Sequence, residues 1–166
     1  MATEIFTGKL ISVRVDERGH ELVGHPPAVV MVAVERDGAV WLVRSQRPVP
    51  EGTLVEVPAG LVDPEESAHQ AARRELREEC GLEAESWEEL ASAYSSPGFT
   101  DERIHVYLAT GLTHVGGEEA PGPVQDRFTA EMEEAVDLCS ANLQSLAALL
   151  LASRRLARRG GGGHPG

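Results

Sequence analysis

Seven consecutive apolar residues, Ala28-Val29-Val30-Met31-Val32-Ala33-Val34, constrain this chain more than any other stretch. A strand alternates its side chains between two faces, so an unbroken apolar run is expected of a strand buried on both. Asp37-Gly38, a dipeptide that favours hairpin turns, follows it, and "AVWLVRSQ" reads as the returning strand. Upstream, "EIFTGKLISVRVDE" has the β-branched content and partial alternation of a strand or hairpin arm. Downstream, "TLVEVPAGLVD" reads as a short strand and then a loop. Ser67 and Gln70 have the spacing of a capping box and Gly81 is a good C-terminal cap, which predicts a helix between them.

"LASAYSSPGFTDERIHVYLATGL" reads as a loop between two strands, and "THVGGEEAPGPVQDR", rich in Gly, Pro and acids, as a mobile loop. "DRFTAEMEEAV" is a poorly formed strand. Residues 131–159 have a helical pattern in two pieces, broken near Ser140 to Asn142, and residues 160–166 read as a disordered tail. The expectation is one domain over residues 1–159, with an N-terminal arm over about 1–24. Its class is α/β or α+β, a mixed sheet with helices packed on it.

The formal charge of −12 argues against a protein whose task is gripping a nucleic-acid backbone. It leaves open a small anionic substrate, because local charge, including that of metal ions, decides binding at a site. No apolar run approaches a membrane span, and "MATEIFTGKL" is too polar for a signal peptide, so a cytoplasmic protein is expected. Cys80 and Cys139 fit neither a metal-ligand spacing nor a disulfide framework and read as small core residues. No histidine has a partner at catalytic or metal spacing, and His105 reads as structural.

The predicted helix carries an electrostatic difficulty. With Glu75 as reference and roughly 3.6 residues per turn, Glu79 lies about 40° to one side and Glu78 about 60° to the other. Like charges so placed weaken an isolated helix by a few tenths of a kcal/mol. Ala72, Leu76 and Cys80 form a packing sector, Gln70, Arg73, Arg74 and Arg77 an outward one, and Ala68, Ala71 and Ala72 leave room for a ligand. The bland reading is a solvated acidic face with an Arg74–Glu78 pair. The sharper one is a site for Mg²⁺, a hard ion that takes carboxylate oxygens and keeps positions for water and phosphate.

Gly60, five residues, Glu66, seven residues and then Arg74-Glu75-Leu76-Arg77-Glu78-Glu79-Cys80-Gly81-Leu82 resembles the Nudix box in full. The resemblance implies a Nudix-type α/β/α sandwich with a mixed β-sheet and an N-terminal β arm. It implies that Glu75, Glu78 and Glu79 hold Mg²⁺ or Mn²⁺ with the carbonyl of Ala59, Glu75 and Glu79 being catalytic. Glu66 and Arg74 would pin the loop to the helix, with Gly60 and Gly81 as supporting glycines. The reaction implied is attack of water on a diphosphate linked to another moiety.

The flanks resemble the ADP-ribose pyrophosphatase subgroup. Pro97 follows Leu82 by fifteen residues within "SSPGFTDE", and the arm and following strands are similar to that subgroup's. The resemblance implies a nucleoside diphosphate substrate, most simply ADP-ribose, and a homodimer that exchanges the arm. It gives Arg47, or its neighbour Arg44, a role at the substrate, with Glu56, Pro97, Gly98 and Glu102. It also implies a general base in the acidic loop, with Glu119 preferred, then Glu118, and Asp126 as a further candidate. The chain departs from the subgroup at Gln46 and Val55, where aromatics are usual, leaving Phe6, Tyr94 and Phe99 as candidates for stacking. Other diphosphates, or an inactive ligand-sensing module, are the alternatives.

Overall fold

In the computed structural model, residues 2–116 and 123–160 are described. Glu118, Glu119 and the tail beyond Gly160 lie outside them. Strands β1 (Thr3–Thr7), β2 (Ser12–Val15) and β3 (Glu21–Gly24) form a small antiparallel sheet, the arm. The main sheet has β10 (Val124–Ala130), β5 (Val40–Arg47), β4 (Ala28–Val34), β9 (Arg103–His114) and β8 (Leu82–Tyr94) side by side in that order. Strand β6 (Gly52–Glu56) extends from β5, and β7 (Ala59–Leu61) pairs with the start of β4. Strands β4 and β9 run parallel and the other pairs antiparallel, so the sheet is mixed.

The apolar run behaves as its composition requires: all seven residues of β4 are buried. Val29, Met31 and Ala33 pack with Ala71, Ala72, Leu76 and Cys80 of α1 (Ala68–Cys80) on one side. Val30, Val32 and Val34 pack on the other with α2 (Met132–Leu138) and α3 (Leu143–Gly160), through Ala135, Ala148, Leu149 and Ala152. Period-two alternation therefore feeds both helical layers from a single strand, giving an α/β/α sandwich.

Four local readings change. The loop after β6 contains a strand of its own, β7, because Gly60 and Ala59 find backbone partners in Val29 and Val30. The segment "DRFTA" is a regular part of β10, since the edge of β5 stood open to pair with it. Ala71 and Ala72 are fully buried core residues and leave no room for a ligand. Helix α3 includes Gly160, which the sequence reading placed beyond the domain; residues 161–166 lie outside the described residues.

Helix α1 carries the acidic cluster, and its ends are as the sequence predicts. Ser67 Oγ accepts from the Gln70 N–H, the Gln70 side chain accepts from the Ser67 N–H, and Gly81 closes the helix with φ 68°. Ser67→Ala removes one side of that box and is expected to cost about 1 kcal/mol, read as a lower denaturant midpoint with an unchanged slope. An unchanged midpoint would mean that packing alone fixes the start of α1.

Candidate active site

Strand β7 is where the loop meets the helix. The Ala59 N–H donates to Glu79 Oε2 at 2.9 Å, which ties the turn before the helix to its last turn. Gly60 lies so close to α1 that a Cβ added there would overlap the Glu75 carboxyl group. Only glycine allows that approach. Arg74 turns inward, not into the outward sector expected of it. Its Nη2 donates to Glu66 Oε1 at 2.6 Å and to the Leu61 carbonyl at 3.0 Å. Its Nη1 donates to Glu75 at 2.6 Å and to Glu78 at 3.3 Å. One guanidinium thus joins loop and helix while holding three carboxylates.

The acids differ in environment. Glu79 is 7% exposed, and loss of hydration is the main reason its pKa rises to about 8, with the charge of Glu75 adding to it and the Ala59 N–H opposing it. Burial also raises Glu75, against the pull of Arg74. Glu66 moves the other way, held below the usual carboxylate range by its bond from Arg74. The two cysteines are buried and unpaired, and burial pushes Cys80 up to about 12 and Cys139 to about 11, so neither is an activated thiolate.

A cavity of about 560 Å³ opens beside Ala59 and Gly60, lined further by Arg47, Glu56, Glu102 and His25. Glu56 is almost fully buried, and Arg47 donates to it through Nη2 at 2.7 Å and Nε at 2.9 Å. Asn142, at the start of α3, donates to the same carboxylate at 2.5 Å, and its Oδ1 accepts from the Ser145 N–H at 3.0 Å. This network joins β5, β6 and α3 at one wall of the cavity.

Not every candidate gathers here. The Arg44 guanidinium stacks on Phe128 at 4.5 Å and pairs with Asp126 at 3.7 Å, away from the cavity. Pro97 and Gly98 lie in an exposed turn between β8 and β9, and Phe6, Tyr94 and Phe99 are about half exposed and do not line the cavity. His105 pairs with Glu89 at 3.1 Å, away from it too. His25 and Asn142 are cavity residues that sequence reasoning missed. The acids that meet them in the cavity come from far along the chain: Glu102 reaches His25 across 77 residues and Glu56 reaches Asn142 across 86.

The donor set suits a hard divalent ion: carboxylates, a backbone carbonyl at Ala59, and a buried acid whose own charge is disfavoured. Among the described residues no three acidic, histidine or cysteine side chains already converge as a ligand group. The reason is visible, since Glu75 and Glu78 turn to Arg74 while Glu79 turns to Ala59.

A family model described as NUDIX domain matches residues 24–159, and the chain belongs to the Nudix family. It is 37% identical over 142 residues to the methanol dehydrogenase activator of Bacillus methanolicus, covering 81% of this chain and 76% of that one. It is 37% identical over 138 residues to an ADP-ribose pyrophosphatase of Bacillus subtilis, covering 78% and 74%. An ADP-ribose pyrophosphatase of Mycobacterium tuberculosis is 46% identical over 101 residues, 60% of this chain and 49% of its own. A solved structure of an ADP compounds hydrolase superposes with a TM-score of 0.77 over 96% of this chain and 94% of its own, at 23% identity, a likeness of fold.

The raised pKa of Glu79 has a consequence for the metal-free protein. Folding favours its protonated form, so this contribution to stability is complete below the ordinary value of 4.5 and is lost as pH rises through about 8. Glu79→Gln keeps an acceptor for the Ala59 N–H but cannot ionise. With chelator present, its Tm is expected to match wild type near pH 4.5 and exceed it near pH 8. A variant that follows the wild-type slope across that window would place the burial penalty elsewhere.

Proposed function

We propose that this chain is a divalent-metal-dependent hydrolase of nucleoside diphosphates linked to another moiety, with ADP-ribose as substrate and AMP and ribose 5-phosphate as products. The observation that carries the reading is the buried Glu79 carboxylate, held by the Ala59 N–H at the edge of the cavity with Glu75 beside it. A carboxylate so costly to ionise is well suited to a cation. The names of the Bacillus subtilis and Mycobacterium tuberculosis relatives support the substrate.

In this reading Glu75, Glu78, Glu79 and the Ala59 carbonyl hold Mg²⁺, with Mn²⁺ as substitute. When bound, the metal offsets charge on the diphosphate and lowers the pKa of the attacking water. Arg74, anchored by Glu66 and the Leu61 carbonyl, would hold the loop against the helix that carries these ligands. Arg47 offers its forked donors to the diphosphate, oriented by Glu56. Glu119, or failing it Glu118, takes the proton from water. Asp126 is set aside, because it lies on β10 paired with Arg44.

We further infer a cytoplasmic homodimer. Both cysteines are free, as a reducing compartment allows. The arm exposes Ile5 at 63% and Phe6 at 53%, apolar surface that a second copy would cover. Light scattering is expected to give twice the chain mass of 17.8 kDa; a monomer would remove that inference.

The deciding assay incubates the protein with Mg²⁺ and ADP-ribose and follows products by phosphorus NMR in ¹⁸O-water. AMP and ribose 5-phosphate are expected, with turnover abolished by chelator and lowered by at least about 10³-fold in Glu79→Gln. Glu119→Gln is expected to lower kcat by about 10²-fold or more with metal affinity unchanged. An effect of Glu118→Gln alone would move the base by one residue. A folded protein with no turnover of any diphosphate would favour the ligand-sensing alternative.

A further inference from the structure

Asn142 sits in the break between α2 and α3, one residue before α3 begins, and lines the cavity with Arg47 and Glu56. The two polar atoms of its side chain do different things. Oδ1 accepts from the Ser145 N–H at 3.0 Å, and the Leu146 N–H donates to the Asn142 backbone carbonyl at 2.9 Å, so Asn142 is the N-cap of α3. A backbone N–H can only donate, so the atom that meets it is the amide oxygen, and the amide nitrogen is left to face Glu56. Nδ2 donates to Glu56 Oε1 at 2.5 Å.

Glu56 is almost fully buried, so its lone pairs have to be met by donors within the protein. Arg47 meets Oε2 through Nη2 at 2.7 Å and Nε at 2.9 Å, but reaches Oε1 only at 3.2 Å. Asn142 is the near donor to that second oxygen. The ion pair uses the Nε edge of Arg47, and Nη1 has no partner among the described residues. A second tie comes from Ser145, whose buried Oγ accepts from the Val57 N–H at 3.2 Å. The first turn of α3 is thus clamped to the strand end that carries Glu56. Aspartate caps a helix as well as asparagine does, but at this position it would set one carboxylate against another.

We propose that Asn142 is a positioning residue for the reaction. By capping α3 and donating to Glu56 with one side chain, it fixes the plane of the carboxylate that aims the free edge of Arg47 at the substrate. The proposal rests on reading this cavity as the substrate site, with Arg47 meeting the diphosphate. It places the start of α3 in the binding of substrate, acting through Glu56 and Arg47 in turn.

The test is a double-mutant cycle with ADP-ribose and Mg²⁺, reading kcat and KM separately. Asn142→Asp keeps the cap and is expected to raise KM by at least about tenfold, with kcat changed by less than about twofold. Asn142→Ser caps as well but is too short to reach Glu56, and is expected to raise KM by a smaller factor. In an Arg47→Ala background, where no guanidinium is left to aim, Asn142→Asp is expected to change KM by less than about twofold. A residue that only caps α3 would leave KM at the wild-type value in both single variants, because aspartate and serine also cap; that result would overturn the proposal. Effects on KM that multiply in the double variant would overturn it too, since Asn142 would then act without Arg47. Either result leaves the hydrolase reading intact. Absence of ADP-ribose turnover by folded wild type would remove that reading and the positioning role with it. If Asn142→Asp does not fold, Asn142→Ser carries the same cycle.

Discussion

The guanidinium of Arg74 is the interaction on which the acidic helix depends. Four glutamates crowd its neighbourhood, and three of them, Glu66, Glu75 and Glu78, are within 3.3 Å of its nitrogens. Without a cation at that point, the repulsion among Glu66, Glu75 and Glu78 would work against the helix. A planar group with five donors can satisfy several carboxylates and a backbone carbonyl together, which an ammonium cannot do in fixed geometry. The Leu61 carbonyl is the fourth partner, so the cation also fixes where the loop from β7 crosses the helix.

From that junction outward, the architecture explains the cavity. Strand β7 pairs with the beginning of β4, and the parallel partner β9 starts at the same level, with Ala28 opposite both Leu61 and Ile104. The loops that enter these strands therefore meet: His25 before β4, Glu102 before β9, and Gly60 within β7. Asn142 closes the far side because the break between α2 and α3 falls over β6. The site is an accident of no single segment. It is a consequence of strand order.

Electrostatics then divides the cavity. Behind the Ala59 and Gly60 lining lies Glu79, a buried acid that is costly to ionise, with neighbours already gathered by a cation. The lining itself carries Arg47, paired with the buried Glu56. It also carries His25 and Glu102, whose side chains lie 3.3 Å apart.

The α1 boundaries, the both-faces burial of β4 and the glutamate cluster were legible in the chain because each depends on neighbours within one turn or one strand. Ser67 caps its own helix and Gly81 ends it; the spacing of Glu75, Glu78 and Glu79 places them together on any helix. Strand β7, the full length of β10 and the burial of Ala71 and Ala72 were not legible there, and the pin from Arg74 to Glu66 was legible through the family resemblance but not through the helical wheel. Each depends on a partner from elsewhere in the sheet or loop. The same holds for His25 with Glu102 and Asn142 with Glu56. The helix, its caps and the acidic chemistry it carries follow from side-chain identity at short spacing and are written in the chain. What that chemistry faces is set by the fold, because contacts across 77 and 86 residues exist only once the mixed sheet has brought its loops to one edge.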